Sequence, residues 1–324
     1  MITELGHSKI TKNYRGLGTV INLTIFGSQD KELLDESNEL IQYYEKIFTV
    51  NRETSEVLSI SDKAGIEPVQ VSLATFVLVK KAIEKSLEHF GFNATIGPLV
   101  KLWHIGFKDA RVPSKSEIIE KLQLTNPVNI ELNPINQTIF LKEDGMELDL
   151  GAIAKGYIAD RVADLWKSRS IQSGIINLGG NLLLVGNAPH QPDLKWRVGI
   201  RDPLRSTKET IAVIKSGAGS VVTSGISERA FTQEGKSYHH IIDPETGYPH
   251  DNNIASVTVL TDESIDGEVE TTRLFFADAI PNQYKFPAII AYRDKSITLL
   301  NFDENNIQIT DSEYYIKEIL NKVY

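Results

Sequence analysis

The sequence predicts an α+β fold, mainly antiparallel sheets with packed helices. Three observations carry that expectation. Short apolar runs of period two come in hairpin-like groups, helical periodicity falls between the groups, and neither a GxGxxG turn nor a Walker A loop marks a standard dinucleotide fold or P-loop enzyme. The 324 residues, 41% of them hydrophobic, can bury a large core and read as a single domain over 1–324, with room for two interlocked α+β subdomains.

Taken in order, Thr19 to Phe26 alternates Ile21, Leu23 and Ile25 with Asn22 and Thr24, the pattern of a half-buried strand. Leu33, Leu34, Leu40, Ile41, Tyr44, Ile47 and Phe48 then recur at helical spacing. A second helix follows the N-cap residue Ser72, with Leu73, Phe76, Val77, Ile83, Leu87 and Phe90 at helical intervals. Ser114 and Glu117 form a capping box that opens a third, short helix. From Val128 to Asp149, apolar runs broken by Asn-Pro and Asp-Gly read as strands joined by turns. A helix is expected from near Ala152, and strands at Ile175–Leu178 and Leu182–Val185 flank a Gly179-Gly180 turn. Further strands are expected at Lys195–Ile200, Ser220–Thr223, Tyr238–Ile242, Ser256–Leu260, Pro287–Tyr292 and Ser296–Asn301.

Composition narrows the chemistry. The net charge of -9 repels phosphate backbones and anionic lipid, so nucleic acid and membrane surfaces are poor partners, and a phosphate ligand would need local donors or a metal. The absence of cysteine excludes disulfides, thiolate metal sites and a cysteine nucleophile. The first residues lack the apolar core of a signal peptide and no stretch is long and apolar enough for a membrane span, so a cytoplasmic location is expected.

Three clusters could carry chemistry. Asp149 to Tyr157 places Gly151, Ala152 and Lys155 where a strand passes into a helix, an arrangement suited to an anion; taken alone it reads rather as a tight turn with a surface lysine. Tyr238 to Gly247 puts His240 at a strand end beside an Asp243-Pro244 turn, where histidine can act as a base, although alone such a histidine is more often structural. His239 and His240 would face opposite ways on a strand. In Asp266 to Thr272, Glu268 and Thr272 share a helix face and offer hard oxygen ligands for magnesium; taken alone the segment reads rather as an acidic, solvated helix start.

Read in order, these segments resemble the FAD:protein FMN transferases of the ApbE family. Gly16-Leu17-Gly18-Thr19, Ser55-Glu56-Val57, Phe92 to Val100 with Trp103, Asp149 to Tyr157 with Asp160, Asn177-x-Gly179-Gly180, Thr223-Ser224-Gly225 with Arg229, and His240 to Gly247 follow the family's series from about residue 14 to residue 280. The resemblance implies an architecture related to the T-fold and FAD as substrate, with Leu17, Asn51, Phe92, Asn93, Thr95, Asp149, Lys155 and Ile242 around it. It implies a magnesium ion held by the carbonyl of Ala152 with Glu268 and Thr272, and catalytic roles for His240 and Lys155. The target would be a Ser or Thr of a separate flavoprotein, with AMP released. Leu17 stands where the family usually has Met, and Asn93 and Glu268 where it has Asp. Asn51 replaces a frequent aromatic, which favours a second reading, an FAD pyrophosphatase. A non-catalytic FAD-binding protein is the third, and a scaffold without ligand the fourth.

Overall fold

The structure is a computed structural model and describes residues 8–51, 54–205, 209–277, 280 and 283–322. The chain opens with β1 (Lys9–Gly16), β2 (Thr19–Phe26), α1 (Lys31–Phe48), α2 (Glu56–Asp62), β3 (Val69–Gln70), α3 (Leu73–Ser86), α4 (Gly97–Trp103) and α5 (Lys115–Leu122). There follow β4 (Ile130–Asn133), β5 (Thr138–Leu141), α6 (Ala154–Ser168), β6 (Ser173–Leu178), β7 (Asn181–Gly186), β8 (Trp196–Arg201), β9 (Thr210–Ser216) and β10 (Gly219–Gly225). The remainder is β11 (Ala230–Gln233), β12 (Lys236–His239), β13 (Ile254–Thr261), α7 (Ser264–Phe275), β14 (Ala288–Tyr292), β15 (Ser296–Leu300), β16 (Ile307–Ile309) and β17 (Tyr315–Leu320). The α+β expectation therefore holds. Two compact units emerge: one takes residues up to Tyr44, Lys155–Gly225 and Asn253 onward, the other Glu45–Ala154 and Ile226–Asn252.

The first unit is organised by a nine-stranded sheet in the order β1-β2-β6-β7-β10-β13-β14-β15-β17. Every pairing is antiparallel except β15 with β17. Alternation along β2 sends Ile21, Leu23 and Ile25 to one face and Phe26 to the other. Phe26, Leu184, Ile289 and Leu299 form a core with Trp196, Val198, Ile211 and Ile214 of the small β16-β9-β8 sheet. Trp166 of α6 is fully buried against Gly174 of β6, where a side chain would collide with its ring, and its indole N–H donates to Ser37 of α1 at 2.8 Å. Leu17-Gly18 and Gly179-Gly180 each close a two-residue hairpin with positive φ at both positions, the type I′ turn that suits strand twist. Leu17 adopts φ 53° without the licence of glycine.

The second unit combines α2 to α5 with the β3-β5-β4 sheet and the β11-β12 hairpin. Ser72 caps α3 through the N–H of Thr75, and Ser114 and Glu117 form the reciprocal capping box of α5. Leu99, Trp103, Ile105, Ile118 and Ile242 form its buried cluster. Between Val128 and Asp149 only β4 and β5 are strands. From Lys142 to Asp149 the backbone is irregular, and it ends with Asp149 N–H bonded to Ala94 O at 2.8 Å rather than to a ladder. No helix among the described residues is long and apolar enough to cross a membrane.

Candidate active site

In the first unit the site is built around the start of α7. Its N-cap residue, Glu263, gives no side-chain cap. The carboxylate of Asp160 on α6 takes that part instead, accepting the N–H of Ser264 at 2.7 Å and of Ile265 at 3.0 Å. Burial pushes Asp160 up to about 6, against the opposing pull of these two bonds. The approach is close: a Cβ on Gly156 would lie 2.5 Å from Ser264 O and 2.6 Å from the Cα of Ile265, so only glycine fits there. Gly267 repeats the arrangement against β10, where a Cβ would meet Val222 at 2.6 Å.

This packing buries Glu268, which is 5% exposed. Asn181 Nδ2 donates to its Oε1 at 2.7 Å, and Lys155 Nζ lies 3.5 Å from the same oxygen. Oε2 accepts no hydrogen bond among the described residues. Thr272 shares the helix face as its spacing predicts, but its hydroxyl donates to the main-chain oxygen of Glu268 at 3.2 Å, the back-bonding common for helical threonine. Thr271 donates to that same oxygen at 2.9 Å and accepts from Ser224 at 2.9 Å. Lys155, expected as a phosphate ligand, thus also has a carboxylate neighbour. Leu17 sits in the β1-β2 turn of this unit.

The remaining predicted residues lie in the second unit. Asp149 Oδ1 accepts the Gly151 N–H at 2.7 Å, and Leu150 O takes the N–H groups of Ile153 and Ala154. The helix consequently starts at Ala154, two residues later than the sequence suggests, and Ala152 is exposed. Asn93 braces the chain beside it: Nδ2 donates to Thr125 O at 2.8 Å, and Oδ1 accepts from Thr95 N at 2.9 Å. The hydroxyl of Thr95 lies 2.6 Å from both Asn93 Oδ1 and Thr125 O. Phe92 and Asn93, with Thr125, Asn126 and Pro244, line a cavity of about 270 Å³. Asn51 is exposed, its N–H donating to Thr49 Oγ1 at 3.1 Å.

The strand expected over Tyr238–Ile242 ends at His239, because the hairpin partner β11 begins at Ala230 opposite it. His239 is buried and His240, beyond the ladder, is half-buried. His240 N–H donates to Arg229 O at 3.0 Å, with Nδ1 at 3.3 Å from that oxygen. Ile242 sends its side chain into the Trp103 cluster and pairs its main chain with Pro249, so its side chain is turned to the core rather than to a ligand. The Asp243 turn closes as expected, with Gly247 N–H on Asp243 O at 2.8 Å, and Trp103 Nε1 donates to Gly247 O at 2.8 Å.

Lys155, Glu268 and Thr272 therefore gather in one unit, while Phe92, Asn93 and Thr95 gather in the other. No group of three or more Asp, Glu or His side chains able to hold a metal occurs among the described residues. One buried carboxylate with an unpartnered oxygen and a hydroxyl one turn on nevertheless fit a hard cation that keeps several waters, as magnesium does. Sequence reasoning left Asn181, Ser264 and Asp160 without roles; the position of Asn181 directly after the glycine pair was the available signal.

The sequence profile of the ApbE family matches residues 17–284. A Klebsiella pneumoniae relative named FAD:protein FMN transferase is 39% identical over 307 residues, covering 93% of this chain and 94% of its own. One of the same name from Treponema pallidum is 30% identical over 323 residues, covering 93% and 89%. Among solved structures, the ApbE protein of Thermotoga maritima matches with a TM-score of 0.80 at 28% identity, covering 90% of this chain and 96% of that one. The flavin transferase ApbE from Vibrio cholerae matches with a TM-score of 0.77 at 26% identity, covering 95% and 98%.

Proposed function

The chain belongs to the ApbE family, and on that premise we propose that it transfers the FMN half of FAD to a Ser or Thr hydroxyl of a target flavoprotein, with magnesium, releasing AMP. The observation that carries this reading is Glu268, a buried carboxylate with Oε2 unpartnered beside Lys155 and Thr272. Glu268 and the Thr272 hydroxyl would hold the ion. Magnesium, when bound, neutralises charge on pyrophosphate oxygens.

The chain's own residues supply the rest. Lys155 brings a second positive charge for the phosphates and for the leaving AMP. His240 would take the proton of the attacking hydroxyl. The acceptor oxygen then forms a bond to the FMN phosphorus as the bond to the AMP oxygen breaks, and AMP leaves with the electron pair. Asn51, exposed where an aromatic would cover a flavin or adenine ring, supports a second reading, hydrolysis of FAD to FMN and AMP.

Incubating the protein with FAD and magnesium, with and without a domain bearing a Ser/Thr-Gly-Ala-Thr acceptor, separates these readings. Transfer gives AMP only with the acceptor, together with an added FMN mass on it. AMP without acceptor establishes the pyrophosphatase, and FAD binding with no AMP in either tube leaves a binding protein.

A further inference from the structure

Asn181, the first residue of β7, is 3% exposed and makes two hydrogen bonds of opposite sense. Its Oδ1 accepts from Ser264 Oγ at 2.8 Å, and its Nδ2 donates to Glu268 Oε1 at 2.7 Å. Ser264 is fully buried at the first position of α7, the position whose N–H Asp160 holds. The carboxylate, which only accepts, decides which end of the amide faces it: flipped, the amide would set its oxygen against Glu268 Oε1, whereas the Ser264 hydroxyl can donate or accept and bonds either end.

We propose that Asn181 is a positioning residue for the metal carboxylate. By holding Oε1 it turns Oε2 toward the cation, and the hydrogen bond from Ser264 holds the far end of the amide in place. This rests on the metal reading of Glu268 given above. Both polar neighbours of Glu268, Asn181 and Lys155, use the same oxygen, which is the asymmetry expected of a carboxylate presented through its other oxygen. Partners of this outer kind orient ligands, and losing one typically weakens metal affinity by roughly 10–100-fold.

The test is Mn2+ binding to the full chain, followed by electron paramagnetic resonance, in wild type, Asn181→Ala and Ser264→Ala, with thermal melts to establish folding. Asn181→Ala should bind Mn2+ roughly 10–100-fold more weakly, and raising Mg2+ should restore its transfer rate, whereas Glu268→Ala should not recover at any Mg2+ concentration. Ser264→Ala, which removes the hydrogen bond on the amide oxygen and loosens the side chain, should show a smaller loss in the same direction and carries the test if Asn181→Ala fails to fold. Unchanged Mn2+ affinity in both folded variants overturns the positioning role and leaves the metal reading standing; a wild type that binds no Mn2+ overturns both.

Discussion

The surroundings of Glu268 and those of Asn93 and of His240 are made from different materials. Around Glu268, side chains speak to side chains: Ser264 to Asn181, Asn181 to Glu268, Glu268 to Lys155. Around Asn93 and His240 they speak to the backbone, with Thr125 O receiving Asn93 and Thr95, and Arg229 O receiving His240. A side-chain network fails when one member is replaced, since a buried partner is left unsatisfied. A main-chain acceptor survives every substitution that keeps the loop in place, so change at Asn93 and Thr95 should be absorbed as lost stability more than as lost chemistry.

The sharpest break in that comparison is Glu268→Gln. It keeps an oxygen but removes the charge, and steady-state transfer should fall roughly 10³-fold, the equivalent of the several kcal/mol a metal ion supplies. Near-normal transfer would show that the network is only structural. Next comes Gly156→Ala, whose Cβ would press on the backbone of Ser264 and Ile265. It should cost about 3 kcal/mol in denaturant unfolding, and it should lower transfer as well, because it displaces α7.

A third prediction concerns pH. Asp160 moves from 3.8 to about 6 on folding, so between those values the folded chain keeps a proton that the unfolded chain has released. Stability from this group is full below about pH 4 and falls as pH rises toward 6, by up to about 3 kcal/mol. Unfolding midpoints of wild type and Asp160→Asn over that window check the sign: the wild type should lose stability relative to the variant as pH rises. The smallest effect belongs to the backbone-braced cluster. Thr95→Val deletes a buried hydroxyl between Asn93 Oδ1 and Thr125 O and should cost about 1–2 kcal/mol in the same unfolding assay. The Mg2+ dependence of transfer should be unaltered.

Where local chemistry decides an element, the sequence was legible. Ser72 and Ser114 announced their helices, and the alternation in Thr19–Phe26 marked β2 to the residue. β1 was not expected, because an edge strand buries only Ile10 and shows Lys9, Lys12 and Arg15 in place of an apolar face. β17 escaped for the same reason, pairing only with β15, and in parallel. His239 and His240 divide into buried and half-buried, but not by strand alternation, since the ladder stops between them. Within the candidate site, residue types and local spacing offered Glu268, Lys155 and Thr272 only as candidates, and the family resemblance gave them their roles. Asn181 could not be given a role from spacing, because its partners Ser264 and Glu268 are 83 and 87 residues away and nothing in the intervening sequence records the meeting.

The missing side chain at Gly156 leaves α6 and α7 with no clearance between them. In mechanical terms this is a coupling without backlash: a displacement of one helix is delivered to the other at once, with no slack to take it up. Lys155 rides on the first helix and Glu268 on the second, so the cation and the carboxylate travel together. A load applied to either helix moves the pair without opening the gap between the two charges.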